Sequence, residues 1–319
     1  MLSEMNRGFK RKTIINIIQS KINHWVKSID DKTLVTQIKD NYILTGGAIV
    51  SLLQGEMPND YDIYFRDFST AKAVAEYYTK KLVSANDKVK IKVIGNEGHP
   101  KIVIKSAGVV RGESDSQEDY DYFEGNSDPN QIESYLNKDG IKSGKKYEIA
   151  MITSNAISLT GDIQLVLRFV GEPEDIHKNY DFLHVTNYFT EKDGLVLKAE
   201  ALEVIMSKTI KYVGSLYPIC SMFRLRKFIQ RGWSVSAGEM LKIAFDINKL
   251  NLNDMSVLYE QLVGVDAAYF NQLIGMMKEF QEKNGNINFD RSYFFELINK
   301  VFENGEIDHD DETLIHMEA

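Results

Sequence analysis

From residue 13 to residue 29 the chain reads TIINIIQSKINHWVKSI, with Ile14, Ile17, Ile18, Ile22, Trp25, Val26 and Ile29 at intervals of three and four. That spacing collects the apolar side chains on one face and predicts an amphipathic helix. A second helical stretch near Lys32–Lys39 leads into Tyr42-Ile43-Leu44, a short strand that stops at Thr45-Gly46-Gly47. Ala48 to Gln54 reads as a short helix, closed by Gly55 with Pro58 beyond it. In residues 60–65 the alternation predicts a half-buried strand, with Asp60, Asp62 and Tyr64 on one face and Tyr61, Ile63 and Phe65 on the other.

Further along, the pattern predicts a helix over 69–82 opened by Ser69 or Thr70, strands at Val89–Ile94 and Ile102–Lys105, and more strand at Tyr147–Leu159 and Ile163–Phe169. In the last of these, Ile163, Leu165, Leu167 and Phe169 alternate with Asp162, Gln164, Val166 and Arg168. After Gly171-Glu172-Pro173 the periodicity turns helical over Leu195–Tyr212, Ile219–Gln230, Ser236–Leu250, Met255–Val263, Ala267–Lys283 and Tyr293–Phe302. Strands first and helices after predict an α+β protein whose back half is all-α, with no internal repeat.

At 319 residues and 43% hydrophobic content the chain is large enough for two buried cores. Its single cysteine, Cys220, excludes an internal disulfide framework and a multi-thiolate zinc site, and fits a reducing compartment. The first helix is broken by Asn16, Gln19, Lys21 and Asn23, so the expectation is a cytoplasmic protein without signal peptide or membrane span. The net charge of −8 is unevenly distributed: residues 113–133 hold eight acids and the tail from Glu303 to Glu318 seven, neither with a Lys or Arg. Without those fifteen acids the remaining charge is +7, so the body of the chain is basic. The stretch at about 112–142 reads as a solvated insertion, and 303–319 as an acidic tail.

The informative constellation is Gly46-Gly47, twelve residues, then Asp60-Tyr61-Asp62. A glycine bend lets backbone N–H groups approach phosphates with no side chain in the way. Carboxylates at i and i+2 of a strand point the same way and are suited to ligate Mg²⁺ together. Between Val204 and Gly238 there is no acid, while Lys208, Lys211, Arg224, Arg226, Lys227 and Arg231 supply six positive charges among Tyr212, Tyr217, Phe223 and Trp233. Such a stripe suits a phosphate backbone or a triphosphate, with rings available for stacking. His177 and His184 have no nearby partner ligands in sequence and read as ordinary hydrogen-bonding residues.

An apolar strand, Gly-Gly, a short helix and Asp-x-Asp on the next strand resemble the DNA polymerase β superfamily of nucleotidyltransferases. Tyr180-Asp181-Phe182-Leu183-His184-Val185-Thr186-Asn187 resembles the segment that closes the catalytic domain of CCA-adding enzymes and bacterial poly(A) polymerases. Tyr217-Pro218-Ile219, Arg224-Leu225-Arg226-Lys227-Phe228 and Gly232-Trp233 resemble the helix that follows, so the likeness covers about residues 42–233. The combination also resembles uncharacterised phage-encoded members. The resemblance implies a mixed-sheet nucleotidyltransferase domain over 41–190, preceded by a helical segment over 1–40 and followed by an all-helical substrate-binding domain over 191–302. It implies Asp60 and Asp62 as catalytic metal ligands, with Asp162 as a third ligand or as the base that receives the hydroxyl proton. Thr45, Gly46, Gly47, Arg224 and Lys227 would hold the nucleoside triphosphate, with Mg²⁺ or Mn²⁺ as the metal. The acid-plus-arginine motif by which CCA-adding enzymes select their bases is not recognisable, since Cys220 and Ser221 occupy its neighbourhood; the incoming nucleotide is left open.

The activity implied is transfer of a nucleoside monophosphate to an RNA 3′ end, tRNA or tRNA-like, with release of pyrophosphate. Two alternatives stand beside it: transfer to a hydroxyl of a protein or small molecule, and a catalytically silent protein that binds nucleotide or RNA.

Overall fold

The computed structural model describes residues 8–85, 89–95, 100–106, 147–152, 155–252, 257 and 261. The insertion at 112–142, the expected helices Ala267–Lys283 and Tyr293–Phe302 and the acidic tail lie outside the described residues, as does the expected helix Met255–Val263 apart from residues 257 and 261. In chain order the elements are α1 (Arg11–Val26), α2 (Lys32–Asn41), β1 (Tyr42–Thr45), α3 (Gly47–Gln54), β2 (Tyr61–Phe65), α4 (Phe68–Ala85), β3 (Val89–Ile94) and β4 (Lys101–Ser106). Then follow β5 (Ile149–Ile152), β6 (Ala156–Leu159), β7 (Ile163–Val170), α5 (Pro173–His177), a 3₁₀ turn (Leu183–Val185), β8 (Tyr188–Thr190) and β9 (Gly194–Val196). The chain continues through α6 (Ala199–Ser207), β10 (Thr209–Ile210), α7 (Pro218–Gln230), β11 (Ser234–Val235) and α8 (Ala237–Asn248).

Seven strands form one sheet in the order β5-β6-β7-β2-β1-β8-β9. Among the described residues of this sheet only β2 and β7 run parallel, so the sheet is mixed and the protein is α+β. The period-two alternation of residues 61–65 is what divides its two faces. Tyr61, Ile63 and Phe65 enter the main core with Leu165, Leu167 and the apolar stripe of α1, in which Ile14, Ile18, Ile22 and Trp25 are buried. Tyr64 points the other way, into a small cluster with Ile43 and Ile176 on α5. A further core joins Val50 of α3 to Phe182, Ile205, Tyr212, Leu225, Trp233 and Ile243, tying α6, α7 and α8 to the sheet.

Several boundaries differ from the sequence reading for local reasons. Helix α4 is opened by Asp67 rather than Ser69 or Thr70: its carboxylate accepts from Thr70 N at 2.7 Å and from both hydroxyls, which satisfies an orphan N–H of the first turn. The stretch 147–159 is two strands, β5 and β6, paired antiparallel. The helix expected from Leu195 begins only at Ala199, because Gly194–Val196 adds to the sheet edge beside β8.

Deep in the main core the Trp25 indole donates to the Tyr78 hydroxyl at 2.8 Å, with both side chains buried. Tyr78→Phe would leave that N–H without its acceptor, and the expected loss is about 1–3 kcal/mol in urea unfolding. An unchanged midpoint would show that the bond contributes nothing net.

Candidate active site

β1 ends at Thr45, whose backbone pairs with Asp62 on β2. The next residue, Gly46, has φ +89° and ψ −152° and caps α3 without a side-chain hydrogen bond. That region of backbone space is open to glycine and almost closed to other residues. Space imposes the same choice, since a Cβ on Gly46 would lie 2.9 Å from Asp62 Oδ2. At Gly47 a Cβ would meet nothing within 4 Å among the surroundings, so this side of the bend is open. The first N–H groups of a helix have no intrahelical acceptors and present partial positive charge. The bend therefore brings helix amides and the Asp62 carboxylate together at one end of the sheet.

Asp62 is half-buried and Asp60, just before β2 begins, is exposed. The Asp62 carboxyl is pushed up from the ordinary carboxylate range to about 7, first by burial and then by the charge of Asp60, against a lowering pull from Arg224. Two like charges crowded in a partly dry place are poised to accept a cation.

Arg224 on α7 reaches this centre from the helical half. Its Nη1 donates to Asp181 Oδ2 at 2.6 Å; the Asp181 side chain is 8% exposed and that of Arg224 42%. A buried carboxylate thus anchors a guanidinium whose field falls on Asp62 and Tyr64. Tyr64 shares a hydrogen bond with Tyr180, and both hydroxyls are held well above the usual phenol range, by burial first.

The other side chains expected at the site are placed differently from the sequence reading. The backbone of Asp162 lies next to the pair, its carbonyl accepting from Tyr61 N at 2.8 Å, but its side chain turns to α1: Oδ2 accepts from Lys21 Nζ at 3.1 Å, and the side chain is 58% exposed. The backbone explains the departure. Gly161 and Asp162 both take left-handed φ values, +83° and +59°, so the alternation predicted for β7 begins only at Ile163. The Asp162 charge is felt by Tyr61 and Tyr147 on the main-core side, while Gln164 takes the register position opposite Asp62. Lys227 is exposed on α7, as are Lys208, Lys211, Arg226 and Arg231. The rings expected to alternate with these cations as stacking platforms are otherwise used. Tyr212 and Trp233 are buried in the core of the helical half, and Tyr217 carries the Arg168 guanidinium 4.5 Å above its ring. His184 is fully buried among Phe182, Phe228 and Trp233, and burial lowers its pKa to about 4.

Among the described residues no group of three His, Cys, Asp or Glu side chains could hold a metal ion. Two carboxylates nevertheless fit Mg²⁺, which binds oxygen donors and commonly takes only one or two from protein, completing its shell with water and substrate phosphate. The raised pKa of Asp62 supports the same fit, since a bound dication relieves the repulsion that raises it.

Gly46→Ala forces a Cβ against the Asp62 carboxylate and a disfavoured backbone angle, and should cost about 1–3 kcal/mol in chemical unfolding; unaltered stability would mean the bend is not constrained. A carboxyl with a raised folded-state pKa binds its proton more tightly folded than unfolded, so its contribution to stability falls as pH rises from about 4 to about 7. In metal-free buffer Asp62→Asn should therefore melt with the wild type at pH 4 and be more stable at pH 8, by on the order of 1–3 kcal/mol. Parallel melting curves across that range would contradict the assigned environment.

Two solved structures align with the chain at low sequence identity and with TM-scores below 0.5. The CCA-adding enzyme of Thermotoga maritima complexed with tRNA is 13% identical, aligned over 90% of this chain and 63% of that one, with a TM-score of 0.39. The CCA-adding enzyme of Bacillus stearothermophilus in complex with CTP is 14% identical over 80% of this chain and 51% of that one, with a TM-score of 0.38. In sequence, the chain is 21% identical over 279 residues to "Gabija anti-defense 2" of Bacillus phage SPbetaL7. That alignment takes in 84% of this chain and 55% of the phage protein, so the chain spans about half the length of the curated relative it matches. Residues 16–208, from α1 through α6, match the family described as Gabija anti-defense 2 family protein. The span takes in more than half of the chain, including the glycine bend, Asp60, Asp62 and Asp181, and the chain belongs to the Gabija anti-defense 2 family.

Proposed function

We propose that this protein is a metal-dependent nucleotidyltransferase that moves a nucleoside monophosphate from a nucleoside triphosphate to an RNA 3′ end, releasing pyrophosphate. The observation that carries the reading is the Asp62 carboxylate, half-buried beneath Gly46 and driven up to about 7 by burial and by Asp60. Asp60 and Asp62 would hold Mg²⁺ or Mn²⁺, which when bound supplies charge neutralisation for the phosphates and for the attacking oxygen. The open side of the bend at Gly47 and the α3 amides receive the triphosphate. Arg224, anchored on Asp181, presents a guanidinium to the same phosphates. In the transfer the acceptor hydroxyl oxygen bonds to the α-phosphorus, the bridge to the β-phosphate breaks, and the hydroxyl proton leaves to solvent.

The catalytic unit of this reading is residues 41–190, and residues 191–302 supply the acceptor surface. Lys208, Lys211, Arg226, Lys227 and Arg231, all exposed, favour an RNA backbone. A second reading, in which the acceptor is a hydroxyl on a protein or small molecule, is favoured by the burial of Tyr212 and Trp233, which removes them as base-stacking platforms. Either acceptor is compatible with an anti-defense role like that in the name of the phage relative. No helix among the described residues is long and apolar enough to cross a membrane.

The test is incubation with Mg²⁺ and each of the four α-labelled triphosphates, with tRNA, with protein extract, or alone. Label on RNA supports the first reading and label on protein or a small molecule the second. Asp62→Asn should reduce transfer by at least about 10²-fold, at or beyond the upper end of losses seen around metal sites. Absence of transfer from every triphosphate to every acceptor would remove the enzyme assignment.

A further inference from the structure

Behind the glycine bend lies a line of buried polar groups that the transfer reaction does not itself use. His177, 8% exposed at the end of α5, places Nε2 2.9 Å from Thr45 Oγ1 and Nδ1 3.1 Å from Lys198 Nζ. Its ring is flanked by Tyr180 and Tyr188, with centroids at 5.1 and 6.0 Å. Thr45 is fully buried, and its hydroxyl also donates to the Asn187 carbonyl at 2.9 Å, with the Val185 carbonyl at 3.3 Å. Tyr180 hydrogen-bonds both to Thr45 and to Tyr64, which stands next to Asp62.

The donors and acceptors of this line have one consistent assignment. A threonine hydroxyl has one proton, and the carbonyls of Asn187 and Val185 can only accept. The Thr45 proton has acceptors away from the imidazole in these carbonyls and in Tyr180, and the Lys198 ammonium facing Nδ1 makes His177 Nε2 the protonated nitrogen that donates to Oγ1. Nδ1 is then bare and accepts from the Lys198 ammonium, which has only donors. Burial, and after it the Lys198 charge, lowers the His177 pKa to about 3, so the ring stays neutral. The line is thus polarised in one direction, from Lys198 through His177 to Thr45. Thr45 is joined in turn to the backbone of residues 185–187, to the Asp62 strand and to the residue that makes the bend. The Gly46 N–H donates to Val185 O at 3.2 Å, so both Thr45 and its neighbour are fastened to the same segment.

We infer that His177, held as the Nε2–H tautomer by Lys198, is a positioning residue of the triphosphate site, fixing through Thr45 the Gly46-Gly47 bend and the Tyr180–Tyr64 pair beside Asp62. The inference rests on the proposal that this bend binds a nucleoside triphosphate. Glutamine at 177 retains both functions, an amide N–H for Thr45 and a carbonyl oxygen for Lys198; alanine retains neither.

The experiment measures binding of each of the four triphosphates with Mg²⁺ by calorimetry, using the full chain as wild type, His177→Ala, His177→Gln and Lys198→Met, with the melting temperature of each recorded. Side-chain ¹⁵N correlation spectra of the wild type read the tautomer directly and need no ligand. Outer-shell partners commonly contribute 10–100-fold, so His177→Ala is expected to bind about tenfold more weakly, with His177→Gln within about twofold of wild type and Lys198→Met between them. The spectra should show a neutral ring protonated at Nε2. Wild-type binding with an unchanged His177→Ala affinity, or a ring protonated at Nδ1, overturns the positioning role and leaves the nucleotidyltransferase proposal standing. Equal losses of affinity in the alanine and glutamine variants, in step with melting temperature, also overturn it, because they report packing alone. Should His177→Ala fail to fold, Lys198→Met decides: affinity equal to wild type overturns the role. A wild type that binds none of the four triphosphates overturns the triphosphate reading and the positioning role together.

Discussion

Two negative charges held close together in a half-buried place are costly, and the site is organised around that cost. Asp62 cannot move back from the bend, because Gly46 is packed on its carboxylate. Nor can it rotate to the far face, which Tyr61, Ile63 and Phe65 fill with main core. Asp60 adds its charge from just before the same strand, and Arg224 offsets only part of it. The unfavourable energy is retained in the folded state and is relieved by a proton or by a cation.

The surroundings determine which cation and in what company. Arg224 belongs to the helical half and is tied to a buried aspartate contributed by the segment just after α5. The sheet and helical parts therefore meet at the site itself, and each contributes charge to it. On the opposite side, the hydrogen bond that Thr45 accepts from His177 and the one it donates to the Asn187 carbonyl fasten the end of β1 to α5 and to the segment before β8. The glycine bend is consequently clamped from behind while its Gly47 side stays open, a geometry in which helix amides and carboxylates address one ligand from two directions.

Much of this was legible in residue order. The two-residue period put Asp62 on the face opposite Tyr61 and Ile63, and the glycine pair marked the bend that the backbone makes at Gly46. What was not legible has physical reasons. Asp162 had the right neighbours for a third carboxylate, but left-handed backbone at Gly161 and Asp162 breaks the alternation that placed it there and delivers it to Lys21. Tyr212 and Trp233 had the spacing of an interleaved basic and aromatic surface, and tertiary packing of α6, α7 and α8 took them for the core. His177 carried no sequence signal at all, since its partner Thr45 lies 132 residues away and the pairing exists only in the folded sheet. Asp181 was visible within the Tyr-Asp-Phe segment, yet its role as the anchor of Arg224 depends on a contact across 43 residues.

The central claim is that Asp60 and Asp62 bind a divalent ion jointly with the phosphates of a nucleotide at the glycine bend. Crystals grown with Mn²⁺ and a non-hydrolysable triphosphate test it most directly through the anomalous signal of manganese. The account predicts a peak within coordination distance of both carboxylates, with the phosphate chain against Gly47 and the start of α3. A triphosphate bound elsewhere, or manganese absent from these two carboxylates while nucleotide is present, would contradict it.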